Sequence, residues 1–86
     1  METIIVTLTN TARLFFMDLE LPANVQIGKL KADLTEALNE YEPGMLFPSP
    51  DRFELVCSRL GKQLSQSETL AESGIWNGDY LIVTEV

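Results

Sequence analysis

The residue types that carry most protein chemistry are scarce in this chain. It has no histidine and one cysteine, Cys57, in 86 residues. Without an imidazole, Ser-His-Asp and Cys-His nucleophile systems lose their central group, and so do most metal sites. Cys57 closes the run "Phe53-Glu54-Leu55-Val56-Cys57", where alternation turns Phe53, Leu55 and Cys57 to one side. That pattern predicts a buried structural thiol, not an exposed nucleophile. A single cysteine also has no internal disulfide partner, which fits a reducing compartment. Glu36, Glu40 and Glu42 gather carboxylates near one end of an expected helix. The helix dipole there is already negative and nothing supplies a cation cage, so a solvated acidic face is expected. Trp76 follows Ile75 in a turn, where it either covers the core or stands out as an anchor. No catalytic, cofactor-binding or metal-ligating residue is assigned, no cofactor is called for, and the chain is not expected to be an enzyme.

The charge balance narrows the partners. Thirteen Asp and Glu against six Lys and Arg give a formal charge of −7. An acidic surface repels phosphate backbones and anionic headgroups, which disfavours nucleic acid and membrane insertion. "Met1-Glu2-Thr3-Ile4-Ile5-Val6" has no basic leader, and the longest apolar run is Leu14 to Met17. No signal peptide or spanning helix is expected, and the expected location is cytoplasmic. A hydrophobic content of 45% suffices for one modest core, so residues 1–86 are read as one domain.

Two elements precede the helix. "Thr3-Ile4-Ile5-Val6-Thr7-Leu8-Thr9" is a β-branched strand with Ile4, Val6 and Leu8 on one face. Asn10-Thr11 offers a reversal, because Asn tolerates positive φ. Residues 12–21 then alternate, with Phe15, Met17, Leu19 and Leu21 one way and Asp18 and Glu20 the other. Together these predict an antiparallel hairpin, ended by Pro22. Asn24 is a candidate cap for a helix over 25–41, whose stripe is Ile27, Leu30, Leu34, Leu38 and Tyr41. Lys29 and Asp33 lie one turn apart, Gly28 is a weak spot, and Pro43-Gly44 stops the helix.

After a loop at 42–52 come the strand at 53–57, a short strand within "Gly61-Lys62-Gln63-Leu64", a turn at Asn77-Gly78-Asp79 and a last strand over 80–84. One amphipathic helix hides its stripe only by lying across a sheet. With the last strand beside the first, the expected fold is α+β, a β-grasp: a mixed four- or five-stranded sheet with one long helix across one face.

"Gly61-Lys62-Gln63-Leu64", "Thr69-Leu70" and Ile75 resemble the second half of ubiquitin. There Gly61 would permit a tight turn, Leu64 and Leu70 would plug the open end of the core, Ile75 would seal it, and Gly78 would take a left-handed turn position. A closer resemblance spans some sixty residues. "Leu19-Glu20-Leu21-Pro22-Ala23-Asn24-Val25", the helix through Leu30 and Leu34, "Thr69-Leu70-Ala71-Glu72-Ser73-Gly74-Ile75" and "Asn77-Gly78-Asp79-Tyr80-Leu81" are similar to the YukD/EsaB family. The ubiquitin-like domain of EccD shares the pattern. Both belong to bacterial type VII (ESX-like) secretion systems.

The resemblance implies a non-enzymatic accessory or regulatory protein whose partner is a protein component of the secretion machinery. The alternative is a free-standing ubiquitin-like modifier or carrier in another pathway. The chain closes on "Thr84-Glu85-Val86" without a Gly-Gly tail, so conjugation is not expected. In the β-grasp strand order, Ile5, Phe16, Val56 and Ile82 should form a row on the sheet face away from the helix. That row is the expected protein-binding surface, or one for weak self-association. At two positions of ubiquitin's own patch the chain has Ser58 and Thr84, so ubiquitin-reading domains are not expected to recognise it.

Overall fold

The computed structural model describes residues 2–41, Gly44 and 47–86. Strand β1 (Thr3–Asn10) and strand β2 (Phe16–Pro22) form a hairpin, followed by helix α1 (Ile27–Tyr41). A 3-10 turn at Pro50–Arg52 leads into β3 (Phe53–Cys57), then β4 (Lys62–Gln63) and β5 (Tyr80–Glu85). The sheet has five strands in the order β2-β1-β5-β3-β4. β1 and β5 are parallel and every other pair is antiparallel. This is the expected mixed sheet with one helix.

Alternation in the strands and the helix stripe converge on one core. Val6, Leu8, Phe53, Leu55, Cys57 and Leu81 are fully buried, and Ile27, Leu30, Leu34 and Leu38 pack onto them from the helix. Leu64, Leu70 and Ile75 close the remaining end. Gly61 and Gly78 both have positive φ, 64° and 89°, a conformation that costs glycine little.

The hairpin turn is longer than the sequence suggested. β2 begins at Phe16, not near residue 12, and Arg13 rather than Asn10 carries the positive φ, at 55°. Asn10 acts through its side chain: Oδ1 accepts the Leu14 N–H at 2.8 Å, while the Asn10 carbonyl accepts from Arg13 at 2.9 Å.

The helix start also differs. α1 begins at Ile27, and the Gln26 carbonyl accepts its first bond, from Leu30. Asn24 lies two residues before that capping position, too early to cap the helix. Ile27 and Gly28 instead donate their N–H groups to the carbonyls of Glu68 (2.8 Å) and Gln66 (3.0 Å). The long polar stretch between β4 and β5 thus supplies backbone acceptors to orphan helix donors. It is itself held by a reciprocal cap, with Thr69 N–H bonded to Glu72 Oε1 and Glu72 N–H bonded to Thr69 Oγ1.

At the other end the stripe stops at Leu38. Tyr41, expected to continue it, is 78% exposed at the last helical residue. Lys31 takes an inward position instead, 1% exposed, with Nζ 2.7 Å from Glu54 and 5.3 Å from the centre of the Phe53 ring. Lys29 and Asp33 pair at the surface as expected, at 3.1 Å. Glu42 of the acidic group and Pro43 of the helix stop lie outside the described residues. Glu36 and Glu40 are solvent-exposed. Among the described residues no three acidic or cysteine side chains gather in an arrangement able to hold a metal ion.

Candidate protein-binding face

The sheet face opposite the helix is built from the alternate residues of each strand. Phe16 pairs with Thr9, Thr9 with Ile82, and Ile82 with Val56. The row across the four strands is therefore Phe16, Thr9, Ile82 and Val56. Three of the four residues expected to lie together do so. Ile5 does not: it is exposed on the same face but pairs with Glu20, four residues down β1 from Thr9. The separation is about 13 Å along the strand. Both registers cause it: the hairpin turn runs over 10–15 and sets Phe16 against Thr9, while the parallel pairing sets Thr7, not Ile5, against Tyr80 and leaves Ile5 facing the turn before β5. There Ile5 bonds the Asn77 side chain through its N–H and the Gly78 N–H through its carbonyl.

Thr9 occupies the place expected for Ile5. It is buried, and its hydroxyl donates to the Phe15 carbonyl at 2.6 Å. Tyr80 joins the patch one step lower, with its ring edge-on to Phe16 at 6.4 Å between centroids. Sequence reading passed over Tyr80, although alternation with Ile82 already placed it outward. Phe16, Tyr80 and Ile82, with Thr9, Arg13 and Ser58, line an open groove of about 430 Å³. Val56 and Ile82 are half-buried, while Phe16 and Tyr80 stand out at 57% and 47% exposure. Ser58 is exposed beside this groove, and Thr84 is half-buried opposite Glu54.

Acidic residues flank the patch. Asp18 accepts from the Thr7 hydroxyl at 2.7 Å and Glu20 from the Thr3 hydroxyl at 2.8 Å, which fixes both carboxylates over the sheet. Trp76 stands out 63% exposed, its ring covered on one face by the Arg59 guanidinium at 3.7 Å. Arg59 in turn bonds the buried carboxylate of Asp79 and the Gly74 carbonyl. Arg59 donates directly to Asp79, which holds that carboxyl below its usual range; the Trp76 N–H pulls the same way and burial opposes it. Arg59 is raised, first by that same bond. Cys57 lies on the opposite, inward face, fully buried and without a role at this surface.

A mixed sheet in the order β2-β1-β5-β3-β4 with one long helix across one face is the β-grasp fold of a ubiquitin-like domain. The chain belongs to the YukD family: residues 3–83 match the family described as "WXG100 protein secretion system (Wss), protein YukD". Among solved structures it is similar to the EccD5 ubiquitin-like domain from Mycobacterium xenopi, with a TM-score of 0.76 and 16% identity, covering 100% of this chain and 97% of that one. The Caldiarchaeum subterraneum ubiquitin is similar at a TM-score of 0.71 and 20% identity, covering 99% and 95%. A chain of the MycP5-free ESX-5 inner membrane complex is similar at 0.76 and 16%, covering 100% of this chain and 21% of that one. No curated protein sequence matches. Among the described residues no helix is long and apolar enough to cross a membrane.

Proposed function

We propose that this chain is a non-enzymatic accessory or regulatory protein of a type VII secretion system. It acts from the cytoplasmic side by protein–protein contact through the sheet face, not by conjugation. The observation that carries this reading is the aromatic pair Phe16–Tyr80 standing exposed beside Ile82 and Val56 in a domain of the YukD family. Exposed aromatics grouped in one patch are the usual anchors of an interface, and a flanking polar rim sets orientation. The likeness to a chain within an inner membrane secretion complex supports a partner in that machinery.

The test is Phe16→Asp. Its side chain faces solvent, so the melting curve by circular dichroism should stay close to that of the wild type. Capture of the secretion component should weaken by about 2 kcal/mol or more. A folded variant that retains both secretion and capture overturns the reading. The likeness to an archaeal ubiquitin favours a second one, a modifier or carrier. Covalent adducts in the mass spectrum of the protein from its native cell would establish that instead.

A further inference from the structure

β2 is an outer strand, and the register decides which of its backbone groups are free. In β1, the Ile5 N–H and carbonyl and the Thr7 N–H all point to the β5 side, where they meet Asn77, Gly78 and Asp79. Backbone polar groups alternate sides along a strand, so Ile4, Val6 and Leu8 point to β2 and bond Leu21, Leu19 and Met17, their register partners. The Ala23 N–H to Glu2 carbonyl bond continues the same phase. The N–H and carbonyl groups of Phe16, Asp18 and Glu20 consequently face outward along an open edge, with Pro22 at its end.

The side chains along this edge sort by face. Asp18 and Glu20 lie on the face away from the helix, each holding a threonine hydroxyl through one carboxylate oxygen. Met17 and Leu19 lie on the helix side, packed against the core yet only half-buried. An added strand would therefore meet acids on one face and uncovered apolar surface on the other. Charged residues on an outer strand ordinarily block pairing. Here they block it selectively, because a second copy would bring more carboxylates to a chain already at −7. Of the six cations, Lys29, Lys31 and Arg59 are taken up by internal ion pairs.

We infer that the β2 edge is a docking site for an extended partner segment in which basic and apolar residues alternate, added as a sixth strand with its Lys or Arg over Asp18 and Glu20 and its apolar residues against Met17 and Leu19. Backbone bonds supply the affinity of such an addition and the alternate side chains its specificity. The inference rests on the reading of this chain as a protein-binding module; it shares β2 with the Phe16–Tyr80 anchor but uses the outer backbone edge of that strand and not the sheet face.

The probe is a short capped peptide of alternating lysine and valine, titrated into the isotope-labelled protein and followed by amide exchange and chemical shifts. The Asp18 and Glu20 amides should become protected while those of Met17 and Leu19, already bonded to β1, stay as they were. A glutamate–valine peptide should bind at least about tenfold more weakly, a difference of about 1.4 kcal/mol. The double variant Asp18→Lys, Glu20→Lys should reverse that preference. Glu20→Pro removes an edge donor without touching the β1 ladder, so it should abolish binding in a folded protein even if the double variant does not fold. Equal binding of the two peptides overturns the inference, as does protection centred on Glu36 and Glu40, or no binding at all. Ile82→Asp, two strands from the edge, separates the two sites: if the sheet face is the working surface it loses partner capture but keeps the peptide.

Discussion

Arg59 and Asp79 meet in a two-pronged pair, Nε to one carboxylate oxygen at 2.8 Å and Nη2 to the other at 3.0 Å. The second oxygen also accepts the Trp76 N–H at 2.8 Å. Twenty residues apart in sequence, the pair ties the corner after β3 to the turn before β5. It also sets the guanidinium over the ring of Trp76, which stands 63% exposed.

This pair makes stability depend on acid. Because Arg59 donates to it, Asp79 titrates below its ordinary value of 3.8 in the folded protein. The stabilisation is then complete above that value and is lost as pH falls through the lower folded one. Asp79→Asn should cost about 1–3 kcal/mol near neutrality, because it leaves charged and backbone donors poorly paired. The gap between variant and wild type in thermal melts should be constant from about pH 6 to 8 and narrow below about pH 4. A gap that does not change with pH would show that the charge on Asp79 is irrelevant.

Gly28 gives a prediction of the opposite sign. A Cβ there would meet Gln66 at 3.4–3.5 Å, ordinary contact distances, and its φ is not in the left-handed region. Gly28→Ala should stabilise by up to about 0.5–1 kcal/mol through helix propensity. Its own N–H still reaches the Gln66 carbonyl, so the loop should stay in place. A loss of stability in urea titration would mean that Gln66 cannot yield.

Lys31 and Glu54 should behave asymmetrically. Lys31 is almost wholly buried, and Glu54 also accepts from Gln63 at 3.1 Å, so the carboxylate bridges helix, β3 and β4. Glu54→Ala leaves a buried ammonium without its partner, at a cost of about 3–5 kcal/mol. Lys31→Met removes the cation and keeps the volume, and should cost far less in the same denaturant titration. Equal losses would count against the pair as the cause.

The elements legible in the sequence were those whose signal is local. Alternation placed Val6, Leu8, Leu55 and Cys57 inward, and three-and-four spacing placed Leu30, Leu34 and Leu38. Lys31 occupies a proper stripe position between Ile27 and Leu34, but its charge masked the spacing. The displaced Ile5 has a different origin. A one-residue slip flips every side chain, whereas a two-residue shift keeps each on its face, so alternation cannot set a register between strands. Toward Phe16 the shift is that of the hairpin, whose turn over 10–15 is longer than a reversal at Asn10-Thr11. Toward Ile82, β1 and β5 are some seventy residues apart and parallel, so no tight turn fixes their offset. The Asn24 cap failed for a related reason: the acceptors for the helix donors come from residues 66 and 68, far along the chain.

Leu34 tests the helix packing directly. It is 5% exposed in the middle of the stripe. Leu34→Ala should destabilise by about 2–5 kcal/mol, a large share of what a small domain has. A loss below about 0.5 kcal/mol would place the residue outside the core.

Cys57 tests the assignment of the two sheet faces. It pairs with Leu81 and Lys62, is fully buried, and points inward with Phe53 and Leu55, while its neighbour Val56 points to the opposite face. A thiol reagent reaches such a group only when the strand opens. Labelling of the native protein should therefore be slower than that of the unfolded chain by about a thousandfold or more if opening requires global unfolding. Moving the thiol one residue, in the variant Val56→Cys with Cys57→Ser, should give ready labelling without denaturant, because that position is half-exposed beside Ile82. The two probes differ by one residue and should differ in rate by orders of magnitude. If Cys57 labels at once and position 56 is protected, β3 is turned over, and Val56 belongs to the core and not to the Phe16–Ile82 row.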